Sequence, residues 1–287
     1  MIVSYHPLFE GHVNGLAAGR DPGCQDEEKL RNAEAVVLPQ GCTRSWYRLA
    51  TSCCPHVFPN YDARFAYPGK AGQVTLFRNH GAAHPHTLVF PNLNALMAAR
   101  GDLDHIAPLP IPFVFKFAWG DEGRTVHLVD SEEAWAGLLD TAKRFEATGQ
   151  KGCLLQAMVP SANRSMRVAV IGGRRIAYWR VGGGFKAGVA RGAQIDTDSD
   201  PALMDRARDA VDRFCRRTGI NLAGVDLLFS TDPDVADAQT PLFIEINYYF
   251  GRTGLGGSEA YYRILMEEIK NWIRQLPSGR LSMEETG

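Results

Sequence analysis

The sequence predicts an α+β chain built from more than one lobe, and three observations carry that expectation. Near the amino terminus short apolar strands alternate with helical stretches, the pattern of a small α/β layer with a parallel sheet. Farther on, apolar strands are joined by turn-rich connections, Gly172–Gly173 and the polar stretch 230–240, which signal antiparallel hairpins. Two of the later strands, 223–229 and 242–247, each carry a carboxylate inside an otherwise apolar run. A buried carboxylate needs a partner.

Composition bounds the rest. At 287 residues the chain is long enough for two or three packed lobes, and 45% hydrophobic with 22% charged residues is the balance of an ordinary globular protein. The formal charge of −1 argues against a nucleic-acid or membrane-surface partner. No apolar run reaches the roughly 18 residues of a membrane span, and the start MIVSYHPLFEGH lacks the basic and long apolar regions of a secretory signal. The six cysteines are scattered without a CxxC pair, which reads as reduced thiols and a cytoplasmic location. Assembly into a homo-oligomer is left open.

Taken in order, residues 1–9 hold an apolar strand, 10–25 a glycine-rich loop, 26–33 a charged helix and 35–38 a second strand. Residues 43–53 read as a helix with Thr43 as N-cap, and 55–58 as a third strand. No GxGxxG follows any of these strands, so the lobe is not read as dinucleotide-binding. Arg44 and Arg48 share one helical face, either solvated or turned to an anion. Residues 69–81 form a helix ended by Gly81, with Lys70 near its start; taken alone, Lys70 reads as a surface lysine. The strand 112–117 holds Lys116 in an apolar run, where a lysine needs an anionic partner or loses its charge. A loop with Gly120 and Gly123 follows directly. Ser131 caps the helix 132–148, whose apolar stripe is core, and 152–159 is the next strand.

Residues 165–180 form a hairpin. Arg167 and Arg180 occupy inward positions, where an always-charged, bidentate group suits phosphoryl groups and carboxylates; Arg174 and Arg175 at the turn are expected in solvent. A helix from 199 or 200 to 218 is expected beside the Asp226 strand, and Ser258 is expected to cap a last helix that ends before Pro277. The connection 230–240 makes the Asp226 and Glu245 strands antiparallel neighbours. Residues two apart on a strand share a face, so Glu245 and Asn247 point together. With Asp226 they form an oxygen set suited to Mg²⁺, which takes oxygen ligands and completes its shell with phosphate and water. Asp226 alone is equally compatible with a salt bridge to arginine or lysine.

GVDLLFS followed by FIEINYYFG resembles the carboxy-terminal signature of the ATP-grasp superfamily. Upstream segments from about residue 60 to 276 resemble further motifs of that family in the right order. The resemblance implies an ATP-grasp fold: an amino-terminal α/β lobe over 1–66, a first ATP-grasp lobe over 67–155, a second over 156–276, and a flexible tail 277–287. It implies ATP with Mg²⁺ or Mn²⁺ as cofactors. Lys70 and Lys116 match the phosphate-binding lysines, and Gly120 and Gly123 the mobile glycine loop. Gln156, Ala157, Met158 and Val159 match the adenine-binding hinge. Arg167 and Arg180 match catalytic arginines, and Asp226, Glu245 and Asn247 the metal ligands. Lys186 and Arg191, in the loop 182–192, and Arg252 are the implied substrate contacts. Phe117 stands where the family has proline, and Ala157 and Ser165 where it has acids.

The closest likeness is to the ribosomal-protein glutamate ligase and glutathione synthetase branch. That implies a ligase joining a small carboxylate to an amine, or less often a thiol, through an acylphosphate. Two alternatives stand beside it: an ATP-grasp kinase acting on a small molecule, and a degenerate nucleotide-binding protein.

Overall fold

The computed structural model describes residues 1–99, 109–120, 125–182, 192–234 and 237–277; of the expected flexible tail, 278–287 lies outside them. The amino-terminal segment comprises β1 (Ile2–Ser4), β2 (Val13–Asn14), α1 (Cys24–Arg31), β3 (Ala35–Val37), α2 (Arg44–Cys53), β4 (Val57–Phe58) and α3 (Asp62–Ala66). Its strands run parallel in the order β2-β1-β3-β4. Every residue of β1 and β3 is buried, as for strands covered on both faces. Thr43 caps α2, its hydroxyl accepting from the Trp46 amide at 3.5 Å. The stretch read as loop, 10–25, holds the short parallel strand β2 and the start of α1. That helix begins at Cys24 because the Asp26 carboxylate accepts the Gly23 amide at 2.9 Å. Arg44 and Arg48 are both exposed.

The second sheet is antiparallel, in the order β5 (Thr87–Phe90), β8 (Cys153–Ala157), β6 (Phe113–Phe117), β7 (Val126–Val129). Alternation on β6 decides what faces where. Phe113, Phe115 and Phe117 join the core under Trp135, Leu138 and Ala142 of α6 (Glu132–Ala147). Val114 and Lys116 face the opposite way. Neither β5 nor the short α5 (Leu93–Ala98) was expected from the sequence.

The third sheet has the antiparallel order β11 (Gln194–Asp196), β10 (Arg174–Val181), β9 (Arg164–Ile171), β12 (Leu222–Leu228), β13 (Leu242–Asn247). One face buries Met166, Val168, Val170, Val225 and Phe243 beneath α7 (Pro201–Thr218) and α4 (Gly69–Asn79). The other buries Ala169, Ile171 and Leu222 against α8 (Gly257–Arg274) together with Ile2, Val37 and Phe58 of the first sheet. The apolar contacts of α4 thus lie with the third sheet: Phe77 meets Phe243 and Phe214 at 5.6 and 6.0 Å.

Helix α7 seats its apolar face mainly over β9 and β10, with Val225 of the Asp226 strand in the same core, as expected. Two expectations are corrected. Of the turn arginines, Arg174 is exposed as expected, though paired with Glu267 and Glu268 on α8, whereas Arg175 is half-buried and paired with Asp212 on α7 at 3.3 Å. Buried Glu268 also accepts the Gly173 amide at 2.7 Å, so the hairpin tip is docked on α8. Ser258 does not cap α8. A 3-10 turn (Thr253–Leu255) enters the helix through Gly256 and Gly257 at φ +84° and +92°, so the N-cap lies two residues earlier, at Gly256, and Ser258 instead accepts from Arg252 at 3.4 Å.

Gly254 of that turn lies against the Tyr178 ring: a Cβ there would stand 2.3 Å from a ring carbon. Tyr178 is fully buried and cannot swing out. Gly254→Ala is therefore expected to lower stability by about 1–3 kcal/mol, the usual range for overpacking, as read from urea unfolding. An unchanged midpoint rejects the packing account of this turn.

Candidate functional site

The face of the third sheet that is apolar beneath α8 turns polar at its other end. On β9 the alternation runs Ile171, Ala169, Arg167, and the last residue leaves the hydrocarbon core. Arg167 lies opposite Asp226, and Asp226 opposite Glu245, while Asn247 follows two residues on opposite Gly224. The hairpin expectation therefore holds, and the acids and the amide share one face.

They are not, however, a free oxygen set. Arg167 grips Asp226 through both ends of its guanidinium, Nε to Oδ1 at 2.6 Å and Nη2 to Oδ2 at 2.7 Å. Arg180 reaches the same carboxylate at 3.1 Å, and all three residues are buried. Asn247 Nδ2 donates to Asp226 Oδ2 at 3.1 Å. The sequence reading kept catalytic arginines and metal carboxylates as separate groups; the register joins them, because neighbouring strands carry them side by side. Ser165, which replaces an acid of the family pattern, accepts from Arg180 Nε at 3.2 Å and orients it.

Burial alone raises the Asp226 carboxyl, but the two arginines outweigh it and hold the group below its usual range. Glu245 goes the other way: desolvation first, then repulsion from Asp226, push it up against the pull of Lys116 and Lys70. Lys116 is lowered to about 8 by burial, opposed by the attraction of Glu245. A desolvated acid and a desolvated ammonium thus approach from different sheets.

Lys70, Gln73, Lys116, Gln156 and Glu245 line one narrow cavity of about 30 Å³ between the second and third sheets. Lys70, at the start of α4, donates to the Gly120 carbonyl and, at 3.4 Å, to Thr125 Oγ1, so it is tied to the glycine loop rather than free on the surface. Gln156 turns inward and donates to Thr87 Oγ1 at 2.9 Å. The Ala157 amide is used by the His86 carbonyl at 2.8 Å, which leaves Met158 and Val159 as the hinge residues with an amide to offer. Phe117 packs against Phe115, Trp119 and Phe145, on the face away from Lys116, so its departure from the family pattern leaves the lysine in place.

Arg252 lies apart from this cavity, its guanidinium over the rings of Tyr261 and Tyr262 at 4.6 and 4.4 Å. Gly123, Lys186 and Arg191 lie outside the described residues. Ser165 and Gln73 are site residues that sequence reasoning missed. Neither has a signature of its own, because each acts on a partner distant in sequence.

Among the described residues no group of three His, Cys, Asp or Glu side chains is placed to hold a metal ion, and the candidate set is the two acids with the Asn247 amide. That set fits a hard divalent ion on chemical grounds. Glu245 is an acid made costly by burial and by Asp226, and a nearby cation relieves both penalties. Asn247 gives its nitrogen to Asp226, keeping its oxygen as an acceptor.

The Asp226 cluster makes a stability prediction. Asp226→Asn strips two buried guanidiniums of their counter-charge and is expected to cost about 3–5 kcal/mol. Arg180→Met leaves the Arg167 fork intact and should cost clearly less. Urea unfolding of both variants checks the order; a milder Asp226→Asn rejects the shared-carboxylate account.

No curated protein sequence matches the chain. Solved structures do. An ATP-grasp RimK domain protein from Sphaerobacter thermophilus is 17% identical, with 94% of this chain and 98% of that one covered at a TM-score of 0.62. D-alanine–D-alanine ligase from Bacillus anthracis is 12% identical, with coverage of 91% and 84% at 0.58. N5-carboxyaminoimidazole ribonucleotide synthetase from Thermus thermophilus is 15% identical, with coverage of 88% and 65% at 0.55. At these identities the likeness establishes the α+β ATP-grasp fold. Residues 74–272 match the model of the RimK-like ATP-grasp domain, and the chain belongs to that family.

Proposed function

We propose that this protein is an ATP-dependent ligase that joins a small carboxylate to an amine through an acylphosphate. The observation that carries the reading is the cavity between the sheets, where two lysines face a desolvated glutamate. That is the charge pattern for a polyphosphate held with a cation. The family match and the ligases among the solved neighbours support it. The division into lobes 1–66, 67–155 and 156–276 belongs to the same proposal, as do the contacts of Gly123, Lys186 and Arg191.

In this reading Lys116, preorganised on β6, and Lys70, at the helix start, neutralise the ATP phosphates. Met158 and Val159 meet the adenine edge beside Ala157 and Gln156. Gly120 and Gly123 let loop backbone approach the phosphates. Glu245, Asn247 and Asp226 would hold a Mg²⁺ or Mn²⁺ ion, which when bound would supply charge neutralisation at the transferring phosphoryl group. Arg167 and Arg180 anchor Asp226 and add positive potential there. Arg252 receives a substrate carboxylate. A substrate carboxylate oxygen attacks the γ-phosphorus and ADP leaves; the amine then attacks the acyl carbon, phosphate leaves, and the amine's proton passes to solvent. Catalysis of this kind is positioning and electrostatics, and it needs no nucleophilic side chain. The cavity, at about 30 Å³, has room for water and not for a whole nucleotide.

The Lys116 environment sets a pH dependence. With a free value of about 8, raised when phosphates bind, ATP affinity is flat below pH 8 and falls as pH rises above it, by up to about tenfold per unit. Binding of a fluorescent ATP analogue from pH 7 to 9.5 reads this, and Lys116→Met should flatten the profile at a lower affinity. A wild-type profile without a fall removes Lys116 from the phosphate site.

The reaction itself is tested by phosphate release over a panel of carboxylates and amines. Release that needs both partners marks a ligase, whereas a phosphorylated product without free phosphate marks a kinase. Glu245→Gln should melt near the wild type yet lose about 10²–10³ in rate. Full turnover in that variant would sink the metal assignment.

A further inference from the structure

Strand β13, which carries Glu245 and Asn247, is an edge strand. On an antiparallel edge, alternate residues turn both backbone groups toward the neighbour and both away. Glu245 and Asn247 pair inward with Asp226 and Gly224. The residue between them, Ile246, therefore offers its N–H and C=O outward, where an edge strand has no ladder partner. Gln73 of α4 fills that place. Its Oε1 accepts the Ile246 amide at 2.9 Å and its Nε2 donates to the Ile246 carbonyl at 2.8 Å. One side-chain carboxamide thus reproduces what the peptide of a sixth strand would supply.

The clasp has a particular place in the site. Gln73 lies one helical turn after Lys70, lines the same cavity as Lys116 and Glu245, and is bound across 173 residues of sequence. It fastens the backbone between Glu245 and Asn247 on the side where the sheet cannot. It also holds the helix that carries Lys70 at a set offset from those two residues.

We propose that Gln73 is a positioning residue for cation binding: it sets the direction of Glu245 and Asn247 by clamping Ile246 and so couples the Lys70 helix to the metal strand. The proposal rests on the reading of Glu245 and Asn247 as cation ligands given under Proposed function. A residue that orients ligands without touching the ion commonly changes metal affinity by about 10–100-fold when lost. Gln73→Leu removes both hydrogen bonds at similar size. Gln73→Glu keeps the acceptor and sets an oxygen against the Ile246 carbonyl.

The test measures a fluorescent ATP analogue binding to the full chain, first with EDTA and then over a Mg²⁺ titration, alongside amide hydrogen exchange at Ile246. In both variants the Ile246 amide should exchange faster. In Gln73→Leu affinity in EDTA should stay within about twofold of the wild type, and in Gln73→Glu it should fall with the added negative charge, while in both the half-saturating Mg²⁺ concentration should rise about tenfold or more. Unchanged Mg²⁺ dependence in a folded variant with faster Ile246 exchange shows a structural clasp only and overturns the proposal. If Gln73→Leu does not fold, Gln73→Glu decides by the same measurements. A wild type that binds the analogue without any Mg²⁺ effect overturns the metal site itself, and this inference with it; a normal wild-type Mg²⁺ effect that both variants retain overturns this inference alone.

Discussion

The buried carboxylate of Asp226, gripped by Arg167 and Arg180, is the constraint on which the site depends. Three ionised groups out of water are costly, and Coulomb attraction offsets that cost only with good geometry. Here the geometry is a two-pronged grip from one arginine, a second arginine on the same oxygen, and an amide donor from Asn247. Each partner comes from a different strand: β9, β10, β12 and β13. Slipping any of these strands by one residue would turn its member to the opposite face and strand the others. The ionic cluster and the register of the sheet therefore specify each other.

That cluster also sets the electrostatics around it. Because Asp226 is already neutralised, Glu245 is the acid whose charge is least compensated, and it is the one that lines the cavity. Lys116 comes from the second sheet, pushed there by the alternation of β6, whose phenylalanines occupy the opposite core. The lysine's depressed value and the glutamate's raised one have the same first cause, burial in the seam between the sheets. Helix α4 spans the seam, with its apolar residues in the core of the third sheet, its first lysine on the glycine loop and its glutamine on the metal strand.

Much of this was legible in the sequence, because it follows from local rules. Alternation on 112–117 and 242–247 marked Lys116, Glu245 and Asn247 as charged or polar groups in buried strands. The Gly172–Gly173 turn and the polar connection 230–240 gave antiparallel neighbours, and Ser131 and Thr43 cap the helices as expected. The order of motifs pointed to the ATP-grasp fold to which the family match also leads. Where local reading failed, the deciding partner was distant. Arg175 is drawn out of solvent by Asp212 on α7, and Ser258 gave up its capping role because two left-handed glycines start the helix ahead of it.

The sequence by itself determined which side chains would be polar on buried strands, since a period of two is written into each short segment. It also determined that two acids and an amide would share a face, since one hairpin carries them. Only the tertiary structure decided which of those groups would be spent on one another. Asp226 is committed to arginines on two neighbouring strands, Glu245 is left to face lysines from α4 and β6, and Ile246 is clasped by a glutamine far back in the chain. The reason is physical: a strand pattern fixes a direction for each side chain, but partner choice is settled by register between strands and by the packing of one sheet on another, and neither is local.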